Sequence, residues 1–89
     1  MIPIYVGIRQ HRFLPFVSVT MEGEYCEDEP ILIDLMCRII KFAERKQGIL
    51  VPENDIPPIT KGMKIQVCFT AQFKTMLDAD SFKKGIPNI

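Results

Sequence analysis

The side chains best suited to covalent or metal chemistry are few: one histidine, His11, and three cysteines, Cys26, Cys37 and Cys68. A thiol beside an imidazole is the minimum for cysteine nucleophilic catalysis. His11, however, falls beside arginines in a segment that reads as a hairpin connection. Cys37 lies on a helix flank and Cys68 inside a strand, where cysteine packs as a small hydrophobe. A structural zinc site needs closely paired ligands such as C-x₂-C, and the chain has none. Its five glycines are scattered instead of forming a phosphate-cradling loop. The expectation is a protein with no catalytic residues, no metal, no cofactor and no enzymatic activity. Three widely spaced cysteines suit a reducing cytoplasm, which is the expected location, and are expected to be free thiols.

Charge points away from two further classes. Eleven basic and eleven acidic residues balance to zero, which argues against a strongly basic nucleic-acid binder and against an acidic mimic of DNA. Five of the acids, Glu22, Glu24, Glu27, Asp28 and Glu29, lie in one segment. That segment lacks the alternating Asp/Asn ligands and central glycine of a calcium loop; a helix start and solubility account for it. A nucleic-acid reading survives as the alternative. In it Arg9, His11, Arg12 and Lys64 meet phosphates while bases stack on Phe13 and Phe16.

Residues Ile49-Leu50-Val51-Pro52, then Ile59 and Gly62-Met63-Lys64-Ile65-Gln66-Val67, are similar in pattern to the hairpin of the AbrB-type antitoxin and transition-regulator family. The resemblance is confined to residues 49–67 and implies an intertwined DNA-binding dimer. The chain departs from the family at Met63, where an acidic residue is usual, and at Pro57 and Pro58, which interrupt the short intervening helix.

The elements that must position these residues read as follows. With 89 residues the chain is one domain, 1–89, with a single modest core. No apolar stretch is long enough to span a membrane, and the N-terminal residues do not form a signal peptide. Ile4, Val6 and Ile8 alternate as a first strand over 2–9. Phe13, Val17, Val19 and Met21 share one face of a second strand, and Phe16, Ser18 and Thr20 the other. Without Gly or Asn to supply positive φ, the connection 9–12 is expected to be four residues or wider. Pro3 and Pro15 must avoid ladder positions or lie at an edge.

Helix signals are strong over 30–46. Asp28 is placed to cap, Pro30 suits the first turn, and Arg45 and Lys46 suit the last. Gly48 is placed to close the helix in the left-handed conformation. The apolar residues of this helix fill an arc of about 200°, against about 100° for an ordinary surface helix. A second body must therefore cover the flank carrying Ile33 and Ile40: the C-terminal segment, the middle loop or another chain. A third strand over 48–51 is followed by a proline-rich loop, 52–62, the best recognition candidate, with Ile56 and Ile59 as its apolar residues.

Residues 63–74 alternate apolar and polar, interrupted at Cys68, and read as a fourth strand. At ~3.3 Å per residue it would stretch about 40 Å, beyond the roughly 30 Å width of a domain of this size. The expectation is a bulge near Cys68 or a free distal end around Phe69 to Phe73. The end of the chain suggests a short helix to Lys84, capped by Asp78 or Asp80 and stopped by Gly85 and Pro87.

The expected fold is α+β: an antiparallel sheet of about four strands with one main helix on a face, in the order β-β-α-β-β-(short α). The expected function is a small cytoplasmic regulatory module that binds a protein partner and forms a homo-oligomer, in its simplest form a dimer. Host-directed inhibitors encoded by mobile elements are of this type. The expected contacts are Ile33, Ile40, Ile56, Ile59, Phe69 and Phe73.

Overall fold

The computed structural model describes residues 2–24, 27–51, 59–61 and 64–89, with the backbone alone for 59–61. Two long strands, β1 (Ile4–His11) and β2 (Leu14–Glu24), are followed by helix α1 (Glu29–Arg45). Two short strands, β3 (Ile49–Val51) and β4 (Ile59–Lys61), precede the long β5 (Lys64–Gln72). Helix α2 (Met76–Gly85) and a 3₁₀ turn, Ile86–Asn88, end the chain. The strands form one antiparallel sheet, and its order is β1-β2-β5-β3. β3 lies against 70–72 of β5 and β4 against 64–66, so these two short strands share the fourth position. This is the α+β architecture read from the sequence.

Period-two alternation sets the two faces. Val17, Val19 and Met21 of β2 lie opposite Ala71, Phe69 and Val67 of β5, and opposite Ile8, Val6 and Ile4 of β1. This face is the core, and burying its β-branched and aromatic side chains supplies most of the driving force for folding. The other face carries Tyr5, Arg9, His11, Phe16, Ser18, Thr20, Gln66 and Cys68 in register. There Ser18 and Thr70 share a 3.2 Å hydroxyl contact, and the Gln66 amide donates to Glu22 at 3.1 Å.

α1 covers the core face with Leu32, Ile39 and Ala43 fully buried. α2 adds Ala79 and Phe82, and the 3₁₀ turn adds Ile86. Phe82 sits between two rings, 5.6 Å from Phe42 and 5.3 Å from Phe73. The C-terminal segment is thus the second body the wide apolar arc requires, but it packs on the Phe42 flank of α1. The opposite flank is left open at Ile33 among the described residues, 56% exposed, while Ile40 is half-buried against the core.

Several expectations are corrected. β5 is nine residues long, has no bulge, and pairs with β2 from Lys64 opposite Glu24 to Gln72 opposite Phe16. The molecule's long axis is 38 Å, so the strand fits within it and has no free distal end. Cys68 does not break the alternation; it takes an outward position between buried Val67 and Phe69. The β1–β2 hairpin turns in two residues, Arg12 and Phe13, at φ 50° and 68°. Phe13 is therefore at the tip and not on the core face.

The helix ends also differ in detail. Asp28 takes the N-cap position, but its carboxylate accepts from the Glu24 N–H at 2.7 Å and makes no capping bond to the helix. Gln47, not Gly48, adopts the left-handed conformation after α1, at φ 69°. Its N–H donates to Glu44 O and that of Gly48 to Ala43 O, a Schellman closure. Gly48 is needed for space, since a Cβ there would lie 2.8 Å from the Phe73 ring. Thr75 caps α2 by accepting from the Asp78 N–H at 3.2 Å, in place of Asp78 or Asp80.

Candidate interaction surfaces

The sequence-derived contacts separate into three groups. Phe69 and Phe73 are buried in the core, Phe73 against the ring of Phe82, and they are not surface contacts. On the flank of α1 opposite Phe42, Ile33 is exposed, whereas Ile40 is half-buried and packs against the core. Ile56 lies outside the described residues. Ile59 is in β4, opposite Gln66, so the end of the expected loop is an edge strand.

The nucleic-acid set does not converge. Arg9, His11 and Arg12 gather at the hairpin end, where the imidazole of His11 meets Phe16 edge-on at 6.3 Å. Lys64 pairs with Glu24 at the opposite end of β2. Phe16 and Glu24 are eight positions apart on β2, about 26 Å at ~3.3 Å per residue. Lys64 thus shares its end of the sheet with Glu22 and Glu24, which oppose a phosphate there.

Among the described residues, Cys68 and His11 are not brought together either. Cys68 lies opposite Thr20 and His11 opposite Leu14, a separation of about 20 Å along β2. Cys37 is exposed on α1, and neither Cys37 nor Cys68 forms a disulfide; Cys26 lies outside the described residues. Among the described residues no group of three or more His, Cys, Asp or Glu is placed to hold a metal, and no helix is long and apolar enough to cross a membrane.

What sequence reasoning missed is the hairpin tip. Phe13 is 96% exposed, in the left-handed region that bulky L-residues avoid. The register collects other apolar side chains at the same end. Ile49, 61% exposed, is opposite Gln72, which is opposite Phe16. The next residue, Phe73, donates its N–H to Pro15 O at 2.9 Å. α2 then opens with half-exposed Met76 and with Leu77, 83% exposed. Among the described residues, four of the eight large apolar side chains left exposed are therefore at the end where the hairpin turns. A sequence signal existed: Arg-Phe occupies the place where a tight turn would carry Asn-Gly.

The fold so defined is a two-layer α+β sandwich with both helices on one face of the sheet. Compared with known proteins, the chain matches no family model, no curated protein and no solved structure.

Proposed function

We propose that the chain is a non-enzymatic protein-binding module that seats the tip of its β1–β2 hairpin in an apolar recess of another protein. The observation that carries this reading is Phe13: a fully exposed aromatic on a turn whose two central residues both have positive φ. An L-residue in that conformation costs about 1 kcal/mol or more. Such strain is characteristic of sites where the chain presents a side chain to a ligand. Ile49, Met76 and Leu77 are further exposed apolar side chains toward this end of the sheet, and Arg9, His11 and Arg12 are the polar residues nearest the tip in sequence. An aromatic anchor is a common centre of a binding hot spot. The module acts stoichiometrically, by occupying its partner's surface, as an inhibitor or regulator does.

The test is capture and cross-linking from an extract of the source cells, followed by affinity measurement on the partner identified. Replacing the turn by Arg12→Asn/Phe13→Gly keeps the hairpin, raises stability by about 1 kcal/mol, and weakens capture at least about 30-fold, the loss of one aromatic anchor. Unchanged affinity in that variant, or cross-links mapping away from residues 11–14, 49 and 76–77, would falsify the reading.

A further inference from the structure

The two edges of the sheet are unlike. One consists of β3 and β4, three residues each, and short edge strands resist pairing with other chains. The other is β1, eight residues long, Ile4–His11. Edge strands are normally protected by proline, by a charge directed inward, or by a bulge. β1 has none of these: it contains no proline, its register with β2 is continuous, and its core-side residues are Ile4, Val6, Ile8 and Gln10.

The hairpin dictates which backbone groups are available. His11 and Leu14 close the two-residue turn, and such a pair exchanges both of its hydrogen bonds. The odd-numbered residues of β1 therefore bond to β2. The even-numbered ones, Ile4, Val6, Ile8 and Gln10, direct N–H and C=O to the outer edge.

We infer that β1 pairs antiparallel with β1 of a second copy, Gly7 opposite Gly7, to form a continuous sheet across a two-fold axis. This register satisfies every outward group in pairs: Ile4 with Gln10 of the second copy, and Val6 with Ile8. Both helix layers then lie on the same side of the joined sheet. The groove of about 480 Å³ beside β1, lined by Ile2, Ile4, Val6 and Ile86 together with Lys83, lies along the seam and is closed by the second copy.

On the other face the register sets Tyr5, 58% exposed, against Arg9 of the second copy, twice. Arginine over an aromatic ring is a favourable contact. β1 carries one cation, Arg9, in its half nearer the turn, and the antiparallel arrangement keeps the Arg9 residues of the two copies apart. Gly7·Gly7 falls at a non-hydrogen-bonded position, where strands approach most closely. This complementarity of β1 with itself is what favours a second copy over an unrelated strand.

The register is tested by Gly7→Cys. A Cβ at Gly7 meets nothing within 4 Å, so the variant folds. Mild oxidation should yield a covalent dimer, and mass spectrometry should find the two introduced thiols joined to each other. Light scattering of the wild-type chain should show a dimer that dissociates on dilution. Tyr5→Lys sets a cation against Arg9 and should weaken the dimer about tenfold; Tyr5→Lys/Arg9→Glu should restore it. Circular dichroism verifies that each variant is folded. A wild-type monomer at about 500 μM, a concentration at which even weak dimers populate, overturns the proposal. So does a Gly7→Cys chain that cross-links only through its native cysteines. The hairpin-tip reading is independent of this one, because Arg12→Asn/Phe13→Gly leaves the dimer unchanged.

Discussion

Among the described residues, two sites, the Arg12–Phe13 turn and Gln47, hold backbone conformations that their side chains disfavour, for different reasons. Phe13 is strained and exposed, and nothing in the fold is gained from its ring. Gln47 is strained because α1 must turn sharply into β3, with Gly48 N–H bound to Ala43 O at 2.8 Å. Replacing Gln47 by glycine relieves the left-handed penalty, offset in part by the added freedom of the unfolded chain. Gln47→Gly is expected to raise stability by about 0.5–1 kcal/mol in urea denaturation, with no effect on partner capture. Strain at Gln47 serves the fold, whereas strain at Phe13 serves presentation. A Phe13→Gly chain that gained stability and kept full binding would erase that distinction.

At the scale of elements, α2 is the piece whose docking is least marked in the sequence. Its apolar residues make no clean stripe: Leu77 is exposed, and only Ala79 and Phe82 are fully buried. The helix is held by one aromatic side chain inserted between Phe42 and Phe73. Gly85 permits this approach, since a Cβ there would lie 2.4 Å from the Phe42 ring. Phe82→Ala is expected to cost about 3–5 kcal/mol, the usual loss for a buried phenylalanine, read as a lower midpoint in chemical denaturation. On the opposite flank of α1, Ile33→Asp is expected to change stability by less than about 0.5 kcal/mol, as exposed substitutions do. A large loss there would mean that the flank is covered.

For the whole molecule, the disposition of charge decides between partners. Net charge is zero, and the cations of the sheet face away from the helices are at opposite ends of β2, with Glu22 and Glu24 beside Lys64. Fluorescence anisotropy with single- and double-stranded DNA at about 0.05 and 0.2 M salt should show no salt-dependent complex at micromolar protein. A steep loss of affinity between those concentrations would instead reveal phosphate contacts and favour the nucleic-acid alternative. The intertwined dimer implied by the 49–67 resemblance also differs from this topology, in which β3 and β4 pair with β5 of the same chain.

Local chemistry was enough to specify the elements and the faces of the main strands. Period two marks Val17, Val19 and Met21, and likewise Ile65, Val67 and Phe69, as one side of a sheet; Pro30 and Arg45 bracket α1. These signals are legible because each depends on neighbours a few residues away. Tertiary structure alone decided the rest. Whether Phe73 is a contact or a core residue depends on Phe82, and whether Arg12-Phe13 turns tightly depends on the β1–β2 register, which outweighs the local cost of positive φ. Among the described residues, the open flank at Ile33 and the unpaired outer edge of β1 are likewise properties of packing order. A side chain's burial is set by what the rest of the chain brings beside it, and no local pattern encodes that.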